Sequence, residues 1–222
     1  ALMTNSLVSD AKARGAVVAW KEWSVPVYLA DATTPRYSVA LRKYQIDGYR
    51  FMDNVPIPSG ALPDSQADGH LTIVDTSNGC VYDFWQMSLV SGVWGTSWGN
   101  RMSYVNENGI YPKGASARGS GFSNLAGVIM PQDLQGTNEI NHALLFSSGV
   151  NRAGGPILPA TESDGSYSGN QYLPEGARVR LKANFDLSSY PPHLQKIGRA
   201  LKKYGAYNGD NSGGGFSLYA LN

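Results

Sequence analysis

Apolar and polar positions alternate along most of this chain in short runs bounded by Gly, Pro, Asn and Asp. That is the pattern of strands joined by turns. Strands are predicted over 25–30, 37–44, 71–75, 80–90, 93–105, 140–147, 177–181 and 216–221. Pro56-Ile-Pro58, Ser77-Asn-Gly79 and Gly154-Gly-Pro156 are among the breakers between them. Two helices interrupt the pattern. A short one starts at Pro131 and runs to about Gly136, with proline at the first helical position. A longer one covers 191–204, where Leu194, Ile197, Leu201 and Tyr204 form one apolar stripe. Ser188 or Ser189 is placed to cap it and Gly205 to end it. Lys196, Arg199, Lys202 and Lys203 fill the remaining arc and read as a solvated face. No repeat, heptad or linker divides the chain. The expected fold is therefore one all-β domain over 1–222. It would be a β-jelly roll or sandwich of two antiparallel sheets, with the short helix and a C-terminal amphipathic helix outside.

Segment 70–87 points to chemistry. Thr76-Ser-Asn-Gly79 is a turn between two alternating runs. It sets Asp75 opposite Cys80, Ile73 opposite Tyr82, Thr72 opposite Asp83, Leu71 opposite Phe84 and His70 opposite Trp85. Successive side chains point to opposite faces. Leu71, Ile73, Tyr82 and Phe84 then form a core face, and His70, Thr72, Asp83 and Trp85 the other. A slip of one residue would exchange the two. An acid, an imidazole and an indole on a non-core face suit a sugar-binding groove. The indole stacks on a pyranose, and the carboxyl binds hydroxyls or exchanges a proton. Run 93–105 adds Trp94, Trp98 and Tyr104 on one side and Arg101 on the other. The two tryptophans would lie about 13 Å apart at ~3.3 Å per residue. That spacing fits sugar subsites, and equally an aromatic stripe in a core.

Three further segments carry candidates. His142 alternates with Ile140, Leu144 and Phe146, which makes it a core residue, or a base if that face opens into a cleft. Asp164 lies in an Asp-Gly turn at a predicted rim. Asp210 precedes Asn211-Ser-Gly-Gly-Gly215, where glycines permit close backbone approach. Arg118 lies in the Gly/Ser-rich segment 114–121 and reads as structural; the segment matches neither a phosphate loop nor a nucleophile elbow.

Composition narrows the function classes. With 42% apolar and 11% aromatic residues in 222, the chain has the material for a core, which excludes intrinsic disorder. Only 16% of residues are charged, against a usual ~25%, and the net charge is +1. No basic surface for nucleic acid and no membrane span are expected. Cys80 is the one cysteine, which excludes an intrachain disulfide and a cysteine zinc cluster. A histidine metal centre would require His70, His142 and His193 to converge, so no metal and no cofactor is expected. A monomer is expected. The opening on Ala1 fits removal of a secretory leader, and equally a trimmed expression product.

Several segments resemble a group of secreted microbial proteins of no established activity. They are Tyr82-Asp-Phe-Trp-Gln86, Gly127-Val-Ile129, Ile140-Asn-His-Ala-Leu144 and Pro159-Ala160, with Glu175-Gly-Ala-Arg-Val-Arg-Leu181, Ala200-Leu-Lys-Lys-Tyr-Gly205 and Asp210-Asn211. The resemblance runs from about Trp20 to Tyr219 and implies secretion. In that group an acid recurs at the Asp83 position, and the His142 and Asp210 positions recur too. The overall pattern is also similar to concanavalin-like β-jelly rolls, which include glucanases, polysaccharide lyases and lectins. The expected function is a secreted, extracellular glycoside hydrolase. Asp83 would be one carboxyl and Asp210, then Asp164, its partner. His70 or His142 would orient an acid, and Trp85, Trp94 and Trp98 would stack sugars. The alternatives are a lyase on a uronic-acid polymer, using His142 or Tyr104 as base and Arg101 as cation, or a non-catalytic carbohydrate-binding module or lectin.

Overall fold

The structure, a computed structural model, describes residues 2–45 and 48–221. Its regular structure is mostly strand. In chain order the elements are α1 (Leu2–Arg14), β1 (Ala16–Ala19), β2 (Val27–Ala30), β3 (Arg36–Leu41), β4 (Phe51–Pro56), β5 (Leu71–Asp75), β6 (Cys80–Trp85), β7 (Ser88–Val90), β8 (Val93–Thr96) and β9 (Trp98–Ser103). A 3-10 turn (Pro131–Leu134) follows, then β10 (Leu144–Ser148), β11 (Arg178–Val179), α2 (Pro192–Lys203), β12 (Ala206–Asn211) and β13 (Phe216–Tyr219). The strands form three sheets, ordered β1-β13-β10-β12-β11, β2-β5-β6-β9 and β4-β3-β8-β7. Each sheet mixes parallel and antiparallel pairs, which corrects the expectation of two antiparallel sheets. The cause is long crossovers: β2 and β5 pair in parallel because the intervening chain leaves to build β3 and β4 of another sheet. Likewise β11 and α2 intervene between the parallel strands β10 and β12.

The β5–β6 hairpin has the register its turn predicts, from Asp75 opposite Cys80 to Leu71 opposite Phe84. Leu71, Ile73, Tyr82 and Phe84 are buried together in a core shared with Val39 and Val55 of the third sheet. The other face is covered too. Val81 packs with Met102 and Tyr111, and the 109–125 loop closes over it. The first sheet is likewise covered on both sides. Leu144, Phe146 and Leu218 face one cluster with Ile197 and Ala200 of α2, while Leu145 and Tyr219 face another with Phe122 and Val128. The unbroken apolar start of β10 fits a strand buried on both faces.

Helix α2 begins without a side-chain cap. The hydroxyl of Ser188, a predicted cap, donates instead to Asp186 at 2.9 Å. Of its cations, Arg199 and Lys203 are exposed as a solvated face requires, and Lys196 departs from it. Lys196 is buried and its Nζ donates to the carbonyls of Gln135 and Gly136 at 3.0 and 2.9 Å, and Arg199 pairs with Glu139 at 2.7 Å. No helix among the described residues is long and apolar enough to cross a membrane.

Candidate functional site

Two cavities adjoin where the first and second sheets approach. One, of about 310 Å³, is lined by Tyr44, Trp85, Trp98, Arg118, Asp164 and Asp210, with Glu162 at its wall. The other, of about 680 Å³, is lined by segment 17–23 together with Ser147, Ser212 and Tyr219. Asp68, His70 and Asn211 line both, so the two share a wall; the smaller, which holds the carboxyls and indoles, is the candidate groove.

Local structure explains how these side chains converge. His70 precedes β5, and Trp85 ends β6 directly across from Trp98, the first residue of β9. Two indoles therefore stand side by side at one end of the sheet. The Trp85 indole N–H donates to Asp68 at 3.2 Å. Asp210 comes from β12 just after a register shift against β10, between Phe146 and Ser147, and such bulges re-aim side chains. Arg118 is buried in the 114–121 loop. Its guanidinium lies 4.2 Å over the Tyr219 ring and 3.5 Å from the Asp210 carboxyl. Its Nη2 donates to the Asn124 carbonyl at 3.4 Å. Gly119 gives the loop its close fit, because a Cβ there would come within 2.7 Å of the Asp164 carboxyl carbon.

Behind the groove lies a layer of buried polar groups. Glu175 is fully buried and accepts from Asn151 Nδ2 at 3.4 Å and from the Asp164 backbone N–H at 3.2 Å. The same Asn151 amide donates to the Asp210 carbonyl at 2.7 Å, and Asn208 donates to Asn151 Oδ1 at 2.9 Å. Glu162 accepts from the backbone N–H groups of Gly114 and Ser116. These bonds fix the Asp164 turn and the Arg118 loop against β12.

The electrostatics follow from burial. Burial pushes the Asp210 carboxyl up to about 7; the Arg118 charge pulls it down, Asp164 and Asp68 add to the rise, and the Tyr219 hydroxyl, 3.2 Å away, opposes it. Burial, then Asp164, raises Glu175 to about 9, which keeps it neutral at neutral pH. Burial, then the Arg118 charge, lowers His70 to about 3, so its ring is uncharged in the groove wall. The Asp210 side chain retains 14% exposure, enough for a ligand to reach it, and Asp164 is exposed on the same wall. The arrangement offers an acid poised near neutral pH, a second carboxyl on the same wall and the partly exposed Trp85 indole, whereas Trp98, expected to stack a sugar, is buried at 8% exposure.

Five of the sequence-predicted residues meet in this groove: His70, Trp85, Trp98, Asp164 and Asp210. The other five lie elsewhere. Asp83 is fully buried and lines neither cavity. It accepts from the hydroxyls of Thr72 (2.7 Å), Ser123 (2.6 Å) and Tyr111 (3.2 Å) and from the Asn124 N–H (3.1 Å). Its expected place on an open face is thus corrected, because the 109–125 loop covers that face and uses Asp83 as its anchor. Burial raises the Asp83 carboxyl against the pull of these four donors. His142 precedes β10 instead of lying in it, is half-buried, and stands 3.6 Å from Asp133. Trp94 is buried in the core between the second and third sheets. The predicted strand over 93–105 breaks at Ser97 and sends Trp94 and Trp98 to different sheets. Thr96 Oγ1 bridges that break to the Trp85 and Trp98 carbonyls. Arg101 and Tyr104 are exposed toward the far end of β9, outside both cavities.

Sequence reasoning assigned no site role to Tyr44, Asp68, Glu162 or Glu175, and it read Arg118 as structural. Asp68-Gly69 and Pro174-Glu-Gly176 read as turns, and only tertiary packing brings their carboxyls to one place. Among the described residues no group of three His, Cys, Asp or Glu is arranged to hold a metal ion. No protein-family model, curated protein or solved structure matches the chain.

Proposed function

We propose that the groove binds an extracellular polysaccharide and hydrolyses its glycosidic bonds. Asp210 is the general acid, Asp164 the second carboxyl, and Trp85 the face on which a sugar ring stacks, with the buried Trp98 beside it. The observation that carries this reading is an Asp210 carboxyl with a pKa of about 7 in the cavity that also holds Asp164 and the paired indoles. Glycosidic cleavage needs an acid protonated near working pH beside a second carboxyl. Arg118 and Tyr219 orient the acid, and Glu175 supports the turn that carries Asp164. The core shared by the second and third sheets supports a sandwich-like layering as the scaffold.

Charge favours hydrolysis over elimination on a uronate. Asp68, Glu162, Asp164 and Asp210 line the smaller cavity against Arg118, which is already paired, and Arg101 lies outside it. The test is release of reducing ends from a panel of neutral and amino-sugar polysaccharides. Asp210→Asn and Asp164→Asn should each lower turnover by about 10²–10⁴-fold, the scale of a lost acid or base, with sugar binding retained. Full turnover in both folded variants would overturn the assignment.

A further inference from the structure

Segment 17–23 of the larger cavity has no part in the bond-breaking assigned above, yet it carries the most exposed indoles near the groove. Trp20 and Trp23 line it and are 58% and 47% exposed. Tryptophans left this open on a cavity wall mark a surface that something covers. Trp23 also holds a left-handed backbone, with φ of 55°. That conformation is costly for a bulky side chain and recurs at ligand clamps. Gly213 lines the same cavity, and a Cβ there would meet nothing within 4 Å. Asp68, His70 and Asn211 line this cavity and the Trp85–Trp98 cavity alike, so the two lie side by side across a shared wall.

Charge along the path selects the occupant. Glu22, Asp68, Glu162, Asp164 and Asp210 contribute carboxyls. The cations on or beside the path are Arg118, paired with Asp210, Lys21, whose Nζ is 6.0 Å from the Trp20 ring, and Lys43, whose Nζ is 5.8 Å from the Trp85 ring, so the carboxyls outnumber them. A polymer with a carboxylate on every unit would be repelled.

We propose that the cavity beside Trp20 and Trp23 is a distal subsite for further units of the same glycan chain, so that the protein takes long neutral or amino-sugar polymers in preference to polyuronates. The proposal rests on the carbohydrate reading of the groove. The indoles give sugar faces a second platform, and Asn211 and the uncharged His70 lie where the chain crosses between the two.

Calorimetry with gluco-, xylo-, chito- and galacturono-oligosaccharides, from disaccharide to hexasaccharide, tests it. In at least one of the first three series affinity should rise with length by about tenfold or more, the scale of one well-stacked ring. The Trp20→Ala/Trp23→Ala variant should lose that rise and keep the disaccharide affinity. Gly213→Trp, which places a bulky ring at a lining position and leaves the indoles unaltered, should do the same. Affinity flat with length in every series would overturn the subsite. So would equal weakening of short and long ligands in both variants, or tightest binding by the galacturonates. Length-dependent binding without release of reducing ends would refute hydrolysis and leave the subsite standing. Hydrolysis without length dependence would refute the subsite alone.

Discussion

Replacing Asp83 by Ala should cost stability and leave the chemistry intact. The carboxyl sits at zero exposure and accepts from four buried donors, three hydroxyls and the Asn124 N–H. Each buried donor left without a partner costs about 1–3 kcal/mol. The three hydroxyls can turn to other acceptors, whereas the backbone N–H cannot, so the total should be about 3–5 kcal/mol rather than the full sum. In a protein this size that lowers the melting temperature by roughly 10 °C, at ~2–4 °C per kcal/mol. Asp83→Asn is the sharper variant. Its oxygen can still face Ser123, Tyr111 and Asn124, and its amide can donate to the Thr72 hydroxyl, so the cost should be about 1 kcal/mol. Urea unfolding followed by tryptophan fluorescence measures both costs, and reducing-sugar release measures turnover. Folded Asp83→Asn should turn over within about twofold of the parent, because the substituted group lies outside the groove. A well-folded Asp83→Asn with a hundredfold loss of turnover, or an Asp83→Ala as stable as the parent, would refute this reasoning.

Stability should fall as pH rises beyond about 6.5, where the opposing contribution of His70, held down at about 3 in the folded state, is already complete. The folded state holds protons on Asp210 up to about 7 and on Glu175 up to about 9, above their ordinary values of 3.8 and 4.5, whereas the unfolded chain releases them. The full contribution is present below those ordinary values and is lost through these windows at about 1.4 kcal/mol per pH unit for each proton. Unfolding midpoints should show the decline, Glu175→Gln should flatten its upper part between neutral pH and about 9, and stability rising over that range would count against it. Phe84→Ala should cost about 3–5 kcal/mol in equilibrium unfolding, since the ring is fully buried and packs on Gly99; a loss under about 1 kcal/mol would show a looser core.

The hairpin register was legible because Ser77-Asn-Gly79 fixes the turn and the flanking runs alternate. Its second face was misread because covering it takes Tyr111, Ser123 and Asn124, 28 to 41 residues away from Asp83, and no local pattern reports that. Strand β12, Ala206-Tyr-Asn-Gly-Asp-Asn211, has a composition that disfavours strands; it forms between β10 and β11, which pair with it on both sides. Helix α1 escaped notice because it lacks an apolar stripe, burying only Leu7 and Asp10. Asp210, Asp164 and the Trp85–Trp98 pair were recognisable as residue types in turns and strands. Their partners Arg118 and Glu175 were not, since what makes them matter is burial beside distant carboxyls.

The pH dependence of turnover tests the central claim most directly. If Asp210 is the acid, kcat/KM on the preferred polysaccharide falls above about pH 7, where Asp210 gives up its proton. In Asp210→Asn that limb disappears and the residual rate is flat across it. A parent rate that holds level from pH 6 to 9, or a limb near 7 that persists in folded Asp210→Asn, would contradict the account.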